Sequence, residues 1–277
     1  MRIVIVLFWV FVITGWGPQN PAEKFYYAIS WQQFVRLPEV SKPIPLHKPD
    51  YDLLDAAIFQ VTNKIREQEK KPLFRYSPIL HRTATFHAQA MIDLDFYDHY
   101  NYKQISYFTP YKRITAFGGM FHFTAENIAQ YDIINTALEY CPARQKDGSF
   151  KYLDCATKNP YRVYTYITYA EEVVHGWLHS PPHRKNLLGT EYQFLGAAAR
   201  ISKNPYQQRK VPFARLVQNF GGYGSPPPIL QPNLLTLVNI KLNTSSQTSY
   251  YDLPEFVKRN NRGKNLKNQY VILLIPE

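Results

Sequence analysis

The chain has 277 residues, of which 45% are hydrophobic and 16% aromatic, and a formal net charge of +11. That length and apolar content suit one globular domain with extensions, or two small domains, and exclude a disordered chain. The positive balance points to polyanions, which for an exported protein are envelope polymers and anionic lipid head groups rather than nucleic acid. Apart from "KRNNRGKNLK" near the end the charges are scattered, so plain solubility accounts for them slightly better.

The chain opens "MRIVIVLFWVFVITGWG", with Arg2 ahead of an unbroken apolar run from Ile3 to Thr14. A bilayer-crossing helix needs about 20 apolar residues, so this run reads as a signal peptide over residues 1–20. The "TGWG" that follows is a poor cleavage site, and an uncleaved anchor stays open as the alternative. No cysteine follows the run to take a lipid, and no later segment is apolar enough to span a membrane. Residues 21–50 have no clear period and are expected to form an extended leader.

From Tyr51, Leu54, Ala57, Ile58, Val61 and Ile65 recur at helical spacing. A second helix is expected from Ser77 as N-cap and Pro78 at the first position, with Leu80, Ala84, Ala88 and Met91 on one face. His87 falls within that face and reads as a satisfied core histidine. A Gly- and aromatic-rich loop, "YFTPYKRITAFGGMFHFTAENIAQY", comes next. Cys141 and Cys155 flank a short polar loop. In an exported chain an even count favours one disulfide, worth on the order of 3 kcal/mol for a loop of this size, over two free thiols.

"TYAEEVVHGWLHS" carries Thr168 and Glu171 at capping-box spacing. Ala170, Val173, Val174, Trp177 and Leu178 form one arc of the helix, with Glu171, Glu172, His175 and His179 opposite. Pro181 and Pro182 cannot continue it. Two strand-like runs follow, "EYQFLGAAARIS" and "VPFARLVQNFGG", as in a hairpin; the second alternates Val211, Phe213, Arg215 and Val217 against Ala214, Leu216 and Gln218. "SPPP" from Ser225 marks a boundary, and residues 225–277 hold two apolar runs that suit a small β-hairpin.

Several chemistries are absent: no G-x-S-x-G elbow, phosphate-binding loop, dinucleotide fingerprint or paired C-x-x-C occurs. "HGWLH" spaces two histidines as in zinc proteases, but Gly176 stands where the general base should be, so a solvated helix surface is the better reading. What remains is an ordered set of blocks: "AQAMIDLDFYDHY", "AENIAQY", "WLHSPPHRKNLL", "YQFLGAAA" and "LVQNFGG". In this order they resemble the bacterial form of the CAP superfamily, which comprises cysteine-rich secretory proteins, antigen 5 and plant pathogenesis-related proteins. The matching blocks fall within residues 51–224.

The resemblance implies an α+β fold, a three-layer α-β-α sandwich, with a cleft lined by His99, Glu126, Asn127, His183 and Arg184. There the proline break would deliver His183 from a turn to face His99. Two imidazoles plus carboxylate can hold zinc or another divalent cation, with His99 and His183 as the metal ligands. Animal and plant members often carry a second cleft Glu three residues after the Trp. Ser180 stands there in this chain, and neither Glu171 nor Glu172 points in its direction on the helical wheel.

Three functions are therefore weighed. The first is a binding module, secreted or held in the periplasm or cell envelope, whose ligand is a lipid, a peptide or an envelope polymer. Second comes a metal-dependent hydrolase with Glu126 as catalytic general base. The third is a structural envelope protein. Enzymatic activity is the less favoured expectation.

Overall fold

The computed structural model describes residues 21–202 and 211–223. The expected signal peptide, the turn of the hairpin at 203–210 and the C-terminal extension with its expected hairpin lie outside the described residues. In chain order the elements are α1 (Pro21–Ala28), α2 (Trp31–Phe34), a 3-10 turn (Pro38–Ser41), α3 (Tyr51–Gln68), β1 (Arg75–Tyr76) and α4 (Pro78–Asp93). A second 3-10 turn (Ile105–Tyr107), α5 (Pro110–Ala116), β2 (Phe123–Asp132), β3 (Cys141–Arg144) and β4 (Phe150–Leu153) follow. The chain continues through α6 (Tyr166–His179), α7 (Pro181–Leu188), β5 (Phe194–Ile201) and β6 (Phe213–Gly222).

The main sheet runs β1-β5-β6-β2, with β5 and β2 antiparallel to β6 and β1 parallel to β5. Alternate residues serve opposite faces. Ala197, Ala199 and Leu216 pack with Leu54, Ala57 and Ile58 of α3 and Val173 and Val174 of α6. Ala198, Val217 and Ile128 pack with Ala84, Ala88 and Met91 of α4. Helices therefore cover both faces, and the fold is the α-β-α sandwich. The consequence is plainest in β6, where every residue from Phe213 to Gly222 is buried. Its alternation separates two cores, not core from solvent.

Small residues let the layers close. A methyl on Gly196 would overlap the backbone of Leu80 and His81, so α4 lies directly on β5. Asp55, 1% exposed, ties the layers electrostatically. It accepts from Ala199 N at 2.8 Å and Arg200 Nη1 at 3.1 Å and meets His81 Nε2 at 2.9 Å. A buried carboxylate is tolerable only with this many partners.

Four local expectations are corrected. Residues 21–50 are not an extended arm: two helices and a 3-10 turn place Phe34, Val40 and Ile44 in the same core as α3 and α6. These helices are too short for a readable period, and they are held by contacts such as Gln60 Nε2 to Tyr26 O at 2.7 Å. The Gly- and aromatic-rich stretch is not one loop but contains α5 and β2. The α6 capping box is Thr165 with Thr168, not Thr168 with Glu171. Burial of Tyr166 and Tyr169 starts the helix earlier, and Glu171 pairs with Lys64 of α3 at 2.9 Å. Finally, Pro181 begins a new helix. Ser180, extended at φ −95°, ψ 115°, is both the C-cap of α6 and the N-cap of α7. Proline is excluded inside a helix yet suited to its first turn, so the same Pro-Pro ends one helix and starts the next.

Cys141 and Cys155 form a disulfide, with Cα atoms 5.1 Å apart. The segment between them is the β3–β4 hairpin. Among the described residues, no helix is long and apolar enough to cross a membrane.

Candidate functional site

Strand β2 lies at the edge of the sheet, and two consecutive residues on it face opposite ways. Glu126 pairs in register with Asn219 and Asn127 with Gln218. Glu126 points to the α4–α5 side, where its side chain is 1% exposed. His99 Nδ1 lies 2.9 Å from its Oε1, and Arg113 Nη2 reaches both oxygens, at 2.9 and 2.8 Å. The Asn219 amide, oriented by its neighbours, donates to Oε2 at 3.1 Å. His87 Nε2 stands 3.9 Å from Oε1 and donates to Asp98 O at 3.0 Å.

Burial pushes the Glu126 carboxyl up, but the His99 hydrogen bond and the Arg113 and His87 charges outweigh it, so its pKa falls below the ordinary value. It is a carboxylate, which only accepts hydrogen bonds. His99 Nδ1 therefore donates to it, and Nε2 is the ring nitrogen left without this bond on a side chain 40% exposed. His87 has the opposite fate. Burial lowers its pKa to about 4 despite the neighbouring Glu126, and its Nδ1 has no partner.

Asn127, wholly buried, points to the other face. Its Nδ2 donates to His183 O at 3.3 Å and Gln218 Oε1 at 3.2 Å, and its Oδ1 accepts from Asn186 Nδ2 at 2.9 Å. Asn127 thus braces α7 against the sheet and sets where His183, the third residue of that helix, stands. The His183 pKa is lowered by burial and by the charge of His99. Arg184, expected in the cleft, instead pairs with Glu69 at 3.2 Å on a half-exposed surface. Adjacent residues on a helix point about 100° apart, so Arg184 is turned from the direction of His183.

The residue types expected at the site thus come from three settings: His99 from a loop, Glu126 from a strand, His183 from a helix. Three further contributors had no visible signal. Arg113, 0% exposed, reads in "YKRIT" as one more surface base. His87 looked complete as core, and Asn219 lies in the "QNFGG" block without an assigned role. Among the described residues no group of three or more His, Cys, Asp or Glu is disposed to hold a metal ion. Nor does a cavity of about 350 Å³ among the described residues border this site: Tyr27, Trp31, Phe59, Phe74 and Tyr76 line it, and His99, Glu126 and His183 do not. On α6, Tyr131 occupies the space a side chain at Gly176 would need, and His179 Nδ1 bonds to His175 O at 2.7 Å on an exposed face. That is helix surface, not a zinc-protease motif.

Solved structures give a coarse likeness. An extracellular SCP-domain protein from Bacillus anthracis str. Ames is 21% identical (TM-score 0.40), over 66% of this chain and 45% of that one. An outer surface protein of Borrelia burgdorferi is 15% identical (TM-score 0.39), over 60% and 90%. A cysteine-rich secretory protein from Staphylococcus aureus subsp. aureus Mu50 is 14% identical (TM-score 0.33), over 62% and 39%. The matched region thus spans less than half of the Bacillus and Staphylococcus chains. No functionally curated protein is similar to this chain. The model of the cysteine-rich secretory protein family matches residues 59–220, more than half of the sequence and running from within α3 into β6, and the chain belongs to that family, the CAP family.

Proposed function

We propose that this protein is an exported binding module whose ligand is taken at the His99–His183 site. The carrying observation is the His99–Glu126 pair. The carboxylate accepts from Nδ1 and orients the ring, so that Nε2 is the nitrogen left for a ligand on a part-exposed side chain, and protonation of His183 is disfavoured. The disulfide supports export, because such bonds form and persist in oxidising compartments.

A weakly held divalent cation such as zinc is part of this reading. His99 and His183 would hold it, with Glu126 behind His99 as orienting partner and not as a third ligand. A bound cation supplies a Lewis-acidic anchor for an oxygen of the ligand. The ligand classes consistent with an exported basic protein are a lipid, a peptide or an envelope polymer. Hydrolysis with Glu126 as general base is the lesser reading. That carboxylate is sealed from solvent, bonded through both oxygens and held ionised by Arg113, which makes it a weak base without access to water.

The test is a calorimetric zinc titration of the wild type and of His99→Ala and His183→Ala, at pH about 7.5 and about 5.5, either side of the unperturbed imidazole value of about 6.5. The expected result is binding at the higher pH, weakened at the lower because ligands must be neutral, and lost in both variants. Equal affinity in all three proteins removes the metal from the proposal.

A further inference from the structure

We propose that His175 and His179, on the solvent face of α6, form a metal site separate from the His99 site: a surface chelate for a late first-row dication, copper(II) foremost. "HGWLH" lacks the general base of a zinc protease, but its spacing supports a different chemistry. Residues four apart on a helix are neighbours, with Cβ atoms roughly 5–6 Å apart. Both histidines are exposed. Their ring centroids lie 6.3 Å apart, with the planes inclined by 29°. An ion about 2 Å from one nitrogen of each ring brings the centroids to about 5 Å, which exposed side chains reach by rotamer adjustment.

One ring of the pair is already set for an outside ligand. His179 Nδ1 lies 2.7 Å from His175 O. A carbonyl only accepts, so Nδ1 donates and Nε2 is the ring nitrogen left for a ligand. Metal-bound histidines are held in this way, the other ring nitrogen donating to a carbonyl or carboxylate that fixes the ring. By contrast His81, His87 and His99 engage inward partners: Asp55, the Asp98 carbonyl and Glu126.

The support is rigid. Val173, Val174 and Trp177 of the same helix are buried, and Trp177 Nε1 donates to Ile128 O at 3.0 Å. Ligands carried on a packed helix keep their geometry and lose little freedom on binding. Glu172, also exposed, stands one turn before His175 and adds negative charge on the same side, whereas Glu171 is taken up by Lys64 at 2.9 Å.

The donors select the metal. Imidazole suits copper, nickel and zinc, not magnesium or calcium, which take oxygen ligands. Among the described residues no third His, Cys, Asp or Glu joins the pair as a ligand. With two protein donors the affinity rests on the intrinsic order of the metals, in which copper(II) leads nickel and zinc. Copper(II) also favours a tetragonal shell, in which two adjacent nitrogens come from the protein and water fills the remaining positions.

The experiment is a calorimetric titration of the full chain with copper(II) alone, on the wild type, His175→Ala, His179→Ala and His99→Ala/His183→Ala. Paramagnetic resonance of the copper-loaded proteins counts the bound nitrogens. The expected result is a copper site that either helix variant weakens at least about tenfold, since even a supporting hydrogen bond to a ligand is worth about that much. The same site should persist in His99→Ala/His183→Ala. There its spectrum should show two imidazole nitrogens, and adding either helix substitution should leave one. If that control does not fold, the wild type against the two helix variants decides alone. Three results overturn the proposal: no copper binding by the wild type, equal affinity and stoichiometry in the helix variants, or copper lost with His99→Ala/His183→Ala while that protein stays folded. The zinc titration of the His99 site stands or falls separately, because it reads other residues.

Discussion

His99 Nδ1 and Arg113 Nη2 reach the same oxygen of Glu126, each at 2.9 Å. One carboxylate therefore serves a partly exposed imidazole and a wholly buried guanidinium together. The guanidinium keeps Glu126 ionised, and the ionised carboxylate orients His99. Structure and site are coupled through this one side chain.

Removing Arg113 should accordingly cost more than a surface arginine would. Arg113→Met leaves Glu126 buried without its cation and should destabilise the fold by roughly 3–5 kcal/mol. Adding Glu126→Leu removes the stranded charge and should restore part of the loss. Urea unfolding of both variants measures this; a single variant within about 0.5 kcal/mol of wild type contradicts the coupling.

Acid should act on the same cluster. His87 has a folded pKa of about 4, below the unfolded value of about 6.5. The unfolded chain therefore binds the extra proton first, and stability falls as pH drops from about 6.5 through about 4, by about 3 kcal/mol from this residue alone. Glu126 adds to the loss at lower pH, because its folded pKa is also depressed. In His87→Gln the slope of stability against pH between about 6.5 and 4 should flatten, which denaturant midpoints across that range would reveal.

The disulfide should matter locally. Replacing Cys141 and Cys155 by serine opens a loop whose closure is worth about 3 kcal/mol in the chain-entropy model. The β3–β4 hairpin rests on its own small cluster of Ile134, Tyr152 and Val211. Hydrogen exchange should therefore show the hairpin losing protection while β5 and β6 keep theirs. Uniform loss across the sheet would show the hairpin to be part of the global unit.

Gly196→Ala tests the closeness of α4 to β5. The added methyl meets the backbone of Leu80 and His81, which no rotamer change can relieve. A loss of at least about 3 kcal/mol in denaturant unfolding is expected, at the upper end of overpacking costs. A neutral substitution would mean that α4 can withdraw from the sheet.

What the sequence determined by itself was whatever repeats locally or is spelled in ordered blocks. The periods of α3, α4 and α6, the Ser77 cap and the strand character of β5 and β6 were readable because a helix or strand writes its buried face at fixed spacing. The blocks around His99, Glu126 and His183 were readable as a family resemblance. Only the tertiary structure decided the rest. Burial of Phe34 and Val40 turned an aperiodic leader into helices, because such short elements are stabilised by packing and not by propensity. Both faces of β6 were buried because helices lie on both sides of it. The pairing of Arg113 with Glu126, thirteen residues away, the division of Glu126 and Asn127 between opposite faces of the edge strand, and the turning of Arg184 toward Glu69 leave no mark in local spacing. Each depends on which surfaces the folded layers bring together, and a buried charge is recognisable only once its surroundings are known.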